Sequence, residues 1–367
     1  MLNLPAGTQF KKENTSSIRT AAVILIGLGT FFGVAAKAHA DSEFTALYKR
    51  LRIAPLPTKL ESQPDINRGL SLLSREPCDK RAIFSVGEGL LKSGNDRMAA
   101  DSYLGFAATC PNGEGEKYRA AGILFQIADY GQVIGIMTDL IAVRPESGTY
   151  RYLRARSLIG AKRYDKALTD YANTIELQHD QRQLGEWVFI EMSAAYAALK
   201  QYCLAITPIQ TWVAIDPSNR DTPRARKLVL DYSRQGNCHL RYAVGSDTFP
   251  RGADNTIQVR VNVNNSPGTF ILDTGASFVT VTSNFALRSK VDVSQQSVQT
   301  QTANGVMESL LGKAASVRVG RAEATDVAVL VQDRSLGRGV DGLLGMSFLS
   351  RFDLSIEKRE WKLSAKN

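Results

Sequence analysis

Three positions in the first two thirds of this 367-residue chain lie 34 residues apart: Pro111, Pro145 and His179. Pro217 follows after 38, which fits a four-residue insertion near His179–Arg182. Small residues recur in step: Gly87, Ala121, Ala155 and Ser193 at one place, and Ala99, Val133, Ala167 and Ala205 twelve residues on. Bulky residues hold two others: Leu90, Leu124, Leu158 and Tyr196, then Tyr103, Met137, Tyr171 and Ile209. Such an interval restricts the fold strongly. It is the interval of a repeated helical hairpin, and no such hairpin can bury its apolar face unless its neighbours stack on it. Small residues let the two helices of a hairpin approach closely, and bulky ones fill the gaps between hairpins.

The copy Tyr152-x2-Ala155-x2-Leu158-x5-Tyr164-x2-Ala167-x3-Tyr171 resembles the tetratricopeptide repeat. Val133 departs from the usual Ala, and the first helices lack the family's Trp. The resemblance implies four repeats, closed by a polar-faced helix over Asp221–Gln235, with residues 78–238 as the repeat domain; a non-repeating helical bundle is the alternative. Residues 41–77, with Pro55, Pro57 and Pro64, read as a lead-in with one helix at Glu43–Leu51. In this layout Cys78 starts the first helix of repeat one and Cys110 ends the second. Cys203 opens the second helix of repeat four, and Cys238 follows the closing helix. Antiparallel neighbours bring these ends together, so the expected disulfides are Cys78–Cys110 and Cys203–Cys238.

Residues 1–40 read as a targeting segment. Lys11, Lys12 and Arg19 precede the apolar run Ala21–Ala36, and Ala38-His39-Ala40 resembles a signal cleavage site. Export to the periplasm is expected, with an inner-membrane anchor facing the periplasm as the alternative; an even cysteine count suits either. The net charge of +9 is partly in this segment, and the other positive residues are dispersed among acids. No basic tract points to nucleic acid. No C-x-x-C occurs, and only His179 and His239 lie beyond the targeting segment. No metal, cofactor, Ser-His-Asp or Cys-His site is therefore expected.

After Cys238 the texture changes. Residues 239–254, with Gly245, Pro250 and Gly252, read as a linker. From 255 the chain alternates: Ile257, Val259, Val261 and Val263 face one way, with polar residues between. Asn264–Gly268 is turn chemistry, and the return strand leads into Phe270-Ile271-Leu272-Asp273-Thr274-Gly275-Ala276-Ser277.

That last run resembles the active-site motif of aspartic proteases. Two further segments fit in order. Gln301-Thr302-Ala303-Asn304-Gly305-Val306 carries an Asn-Gly turn where the flap of such enzymes lies. Val340-Asp341-Gly342-Leu343-Leu344-Gly345 resembles the segment that crosses behind the active-site loop. Together they span residues 255–367, the size of one protomer of the bacterial, retroviral-type (retropepsin-like) family. The fold class implied is multidomain: an all-α tetratricopeptide-like repeat domain followed by an all-β retropepsin-like protease domain.

The resemblance implies that Asp273 is the catalytic carboxylate. It makes Thr274, Gly275, Ala276 and Ser277 the active-site loop, Thr302, Ala303, Asn304 and Gly305 the flap, and Leu343, Leu344 and Gly345 the support. The reaction needs two carboxylates sharing a proton, an arrangement for which these proteases are the standard case. The chain has one Asp-Thr-Gly. The second acid is expected from a second copy, in a homodimer joined at the active-site loops and at the terminal strands near Trp361. The expected function is peptide hydrolysis by an aspartic endopeptidase, with the repeats recruiting a protein substrate or partner. Two alternatives stay open: a non-catalytic scaffold in which the protease fold only dimerises, and a peptidase that processes its own chain. Gly337–Gly342 matches G-x-G-x-x-G but lacks the strand–helix setting of a dinucleotide site.

Overall fold

In a computed structural model of the chain, residues 43–178, 180–238, 242–252, 256–302 and 305–366 are described. The targeting segment, His179, His239 and the flap residues Ala303 and Asn304 lie outside them. The first helices are α1 (Thr45–Leu51), α2 (Thr58–Glu61) and α3 (Pro64–Arg75). Four antiparallel hairpins follow: α4–α5 (Lys80–Lys92, Asp96–Thr109), α6–α7 (Glu114–Gln126, Tyr130–Val143), α8–α9 (Gly148–Gly160, Tyr164–Glu176) and α10–α11 (Glu186–Ala198, Tyr202–Ile215). The short α12 (Pro217–Arg220) and the closing α13 (Pro223–Gly236) end the array.

The periodic positions are the core of this array. All sixteen of the small and bulky residues named above are buried. Their size pattern has a direct cause: a Cβ at Gly87 would lie 2.3 Å from the Tyr103 ring, so the bulky position of one helix sits on the small position of its partner. Asp79 caps α4 through its carboxylate, and Thr222 caps α13 through its hydroxyl. Both expected disulfides are formed, Cys78–Cys110 and Cys203–Cys238, each with Cα atoms 5.5 Å apart.

Two boundaries differ from expectation. Residues 41–77 hold more than one helix: α3 buries Ile66, Leu70 and Leu73 against α4 and lengthens the array. Pro64 starts that helix at its first turn, where a missing N–H costs nothing, rather than breaking it. Residues 239–254 are not simply a linker. Strand β1 (Ala243–Val244) and strand β2 (Ser246–Pro250) belong to the sheets, and Gly245 between them has φ +80°. A Cβ there would lie 2.1 Å from the Arg321 carbonyl, so the turn depends on glycine.

The remaining elements are β3 (Gln258–Val263), β4 (Ser266–Leu272), β5 (Val279–Thr282), α14 (Ser283–Arg288), β6 (Asp292–Thr302), β7 (Gly305–Val319), β8 (Ala322–Gln332), β9 (Gly342–Leu344), α15 (Met346–Leu349), β10 (Phe352–Ile356) and β11 (Glu360–Ala365). Eight strands run in the order β1-β8-β5-β9-β4-β3-β7-β6, and a further β7–β8 pairing curls them into a barrel. Val259, Val261, Val263, Phe270, Phe285 and Phe348 fill it.

A three-stranded sheet, β10-β11-β2, lies beside the barrel. Trp361 is buried there, stacked on Phe249 at 4.3 Å between centroids. The terminal strand β11 has both of its ladder edges taken, by β10 and β2. Trp361 therefore packs within its own chain, and the open edges of this sheet belong to β10 and β2.

The helices and the barrel share a core. Ile175, Phe189, Met192 and Tyr196 pack with Phe278, Val298, Ala328 and Leu330 of the barrel. Arg351, 1% exposed, donates to the carbonyls of Tyr242, Thr325, Asp326 and Ser347 and to the Thr207 hydroxyl of α11. No helix among the described residues is long and apolar enough to cross a membrane.

Candidate active site

Asp273 follows the last residue of β4, a strand buried in the barrel at Phe270. Three parallel pairs align β4 with β9: Phe270 with Gly342, Ile271 with Leu343 and Leu272 with Leu344. The Asp273 N–H donates to the Leu344 carbonyl at 3.1 Å, and the Met346 N–H donates to the Ala276 carbonyl at 2.8 Å. The Asp273–Ser277 loop is thus held at both ends by the segment that crosses behind it. Gly345 is required by that crossing, since a Cβ there would lie 2.1 Å from the Phe278 carbonyl and 2.7 Å from that of Ala276.

Within the loop the Gly275 N–H donates to Asp273 Oδ1 at 2.9 Å. Asp273 is partly exposed, Thr274 and Gly275 are fully so, and the Thr274 side chain makes no hydrogen bond to a described residue. Ser277 is buried. The Ser347 hydroxyl accepts from the Val279 N–H at 2.8 Å and donates to the Ala328 carbonyl at 2.7 Å, tying α15 to the end of the loop. Asp341 is committed elsewhere: its carboxylate accepts from the Thr269 N–H at 2.9 Å and from Arg288 at 2.7 Å. It is a brace for β4.

The β6–β7 hairpin pairs Thr302 with Gly305 next to its tip, and Gly305 has φ +102°. This is the hairpin that the Asn-Gly turn predicts, although its central residues lie outside the described set.

Residues from the helices also reach the loop, and sequence reasoning missed them. Gln181 donates from Nε2 to the Ser277 hydroxyl at 2.5 Å. Glu176, the last residue of α9, is half-buried by area, but its carboxyl lies under the interface with Oε1 sealed from solvent and unpartnered. Burial pushes this carboxyl up to about 7; the Ser277 hydroxyl draws it down in part, and the charge of Asp273 adds to the rise. Asn173 of α9 is fully buried; it accepts from the Gln299 N–H at 2.7 Å and donates to the Ser297 carbonyl at 3.4 Å, both on β6.

Residues 259–348 match the family model of aspartyl proteases. Among solved structures, a retropepsin-like aspartic protease from Rickettsia conorii aligns with 28% identity, covering 32% of this chain and 89% of its own, with a TM-score of 0.26. MamA 41-end from Desulfovibrio magneticus RS-1 aligns with 15% identity over 49% of this chain and 99% of its own, TM-score 0.37. YrrB, a TPR protein with an unusual peptide-binding site, aligns with 15% identity over 53% and 100%, TM-score 0.34. No curated protein matches. The 34-residue hairpin array and the barrel that carries the matched segment give the chain its class: tetratricopeptide-like helical repeats followed by a retropepsin-like aspartyl protease fold.

Proposed function

We propose that the protein is an exported aspartic endopeptidase that works as a homodimer. The observation that carries this reading is the Asp273–Ser277 loop, held rigidly from behind by Leu344 and Met346 while Asp273, Thr274 and Gly275 face outward. One chain supplies one such carboxylate, and Asp341 is occupied by Thr269 and Arg288. A twofold pair of these loops places Asp273 beside the partner's Asp273. One carboxylate takes a proton from a water that attacks the peptide carbonyl carbon, and the other, protonated, donates to the carbonyl oxygen. The tetrahedral adduct then collapses as the amide nitrogen is protonated and leaves. The flap hairpin would cover the extended substrate, and the open edges of β10 and β2 would serve assembly better than Trp361, which is buried in its own chain. Two disulfides suit an oxidising compartment such as the periplasm, with the N-terminal segment as signal or anchor. The repeats would recruit a protein substrate or partner.

The test is cleavage of an unfolded protein substrate by the parent and by Asp273→Asn. Cleavage should vanish in the variant with its circular dichroism unchanged. Specific activity should fall on dilution below the dimer dissociation constant, and Asp273→Asn chains mixed into the parent should depress it beyond their share. Equal cleavage by parent and variant defeats the reading. Product ends that map to this chain would identify self-processing.

A further inference from the structure

The insertion that breaks the 34-residue period adds a contact from the helical array to the catalytic loop. At the junctions before it, four residues join one hairpin to the next, 110–113 and 144–147; between α9 and α10 there are nine, 177–185. The extra length forms a turn of 3-10 helix, Gln181–Gln183, braced by the Asp180 carboxylate on the Arg182 N–H. This turn sets the Gln181 amide on the Ser277 hydroxyl, 96 residues away in sequence.

The Ser277 hydroxyl accepts from Gln181 and also lowers, in part, the raised proton affinity of the Glu176 carboxyl, whose Oε1 is sealed and unpartnered. Gln181, Ser277 and Glu176 therefore form a small polar cluster beneath the loop that carries Asp273. The cations on elements packed against α9 are engaged elsewhere. Arg151 and Arg154 of α8 go to Asp170, and Arg156 goes to Glu191 of α10. Glu186 of α10 pairs with Arg224, and Asp180 pairs with Arg182. Asp292, the one charged residue of β6, sits at that strand's far end, near Lys313 in the ladder. The charged group that acts on Glu176 is Asp273 itself. One turn earlier on the same helix, Asn173 grips the flap-bearing strand β6.

We propose that the helical array is part of the catalytic site, with Gln181 and Glu176 as positioning residues that hold the Asp273–Ser277 loop from the repeat side. This rests on the peptidase reading above. The charge of Asp273 bears in turn on the Glu176 carboxyl, so the two modules meet at this point through charge as well as through the Gln181 contact. The chemistry remains that of Asp273; the repeats fix the loop's placement and its charge setting.

The experiment uses full-length protein and one peptide substrate, with Gln181→Ala, Ser277→Ala, the double variant, Glu176→Gln and Asp273→Asn as control. Gln181→Ala and Ser277→Ala should each lower kcat about 10-fold with KM within about twofold, the size of one lost positioning hydrogen bond. The double variant should be no worse than the poorer single one, because both remove the same contact. Glu176→Gln should remove the inflection that the Glu176 carboxyl, raised to about 7, puts into the pH profile of kcat/KM. If Glu176→Gln does not fold, the Gln181–Ser277 cycle decides alone. Additive losses in that cycle, or a pH profile of Glu176→Gln that superimposes on the parent's, overturn the proposal. Activity that survives in Asp273→Asn refutes the peptidase reading itself, whereas activity lost there together with an additive cycle refutes only the role of the insertion.

Discussion

Replacing Glu176 by Gln should change how the protein's stability depends on pH, whatever it does to catalysis. The carboxyl holds its proton more tightly in the folded chain, up to about 7 against an ordinary 4.5. Below pH 4 it is protonated in both folded and unfolded chains and has no net effect. Between those two values the folded chain keeps a proton that the unfolded chain releases, so folding weakens as pH rises through the window. Above pH 7 the full cost stands, at about 1.4 kcal/mol per pH unit of difference, or about 3 kcal/mol in all. Gln fills the same space, can still accept from Ser277 and never ionises. Relative to the parent, Glu176→Gln should gain about 3 kcal/mol between pH 4 and pH 8, or roughly 4–5 °C in melting temperature for a chain of this length. The assay is a pair of melting series across that range, with urea midpoints at the two ends. Because Asp273 contributes to the rise, Asp273→Asn should narrow the gap. Parallel curves for Glu176→Gln and the parent would show that the carboxyl is solvated, and the reasoning about the interface would fall.

Two further outcomes follow from the fold. Mass mapping without reductant should find Cys78–Cys110 and Cys203–Cys238; reduction should cost about 4 kcal/mol per bond on the chain-entropy view, and free thiols in exported protein would contradict the pairing. Arg351→Met should destabilise by about 3–5 kcal/mol, since it strips the donors from buried carbonyls of Tyr242, Thr325 and Asp326; limited proteolysis should then cut between helices and barrel, and an unchanged digest would refute the role of this residue as the joint.

Much of this was legible in sequence, for identifiable reasons. The repeat register is carried by small and bulky residues whose burial follows from hairpin stacking alone, so Ala155 or Tyr171 could be placed without any tertiary knowledge. The cysteine pairing follows from the same geometry. The Asp273 loop and Leu343–Gly345 could be placed through their resemblance to aspartic protease motifs, and the tight crossing at Gly345 shows why residue type there is so restricted. What stayed hidden depends on contacts between distant segments. Helix α9 is buried along Ala167–Ile175, on all its faces, and its Asn173 reads as an ordinary polar residue until β6 is seen against it. The four extra residues near His179 were visible, but nothing local says what a longer turn touches. Helix α3 was missed because Pro64 reads equally as a breaker and as a first-turn residue. Trp361 looked like an interface residue because a large exposed-strand aromatic and a buried one have the same letter.

Among the described residues, Arg351 and the shared core join the two modules at a broad, buried contact. The helical array therefore cannot act as a tethered arm that fetches cargo over a range of distances. If the repeats recruit a partner as proposed, they act as a fixed jig: what they grip would be presented to the barrel at one set spacing, with local concentration decided by shape rather than by linker length. In a twofold dimer two such jigs would stand in a fixed relation to a single cleft. A long partner held by both would be drawn across it taut, whereas a short one could engage only one side.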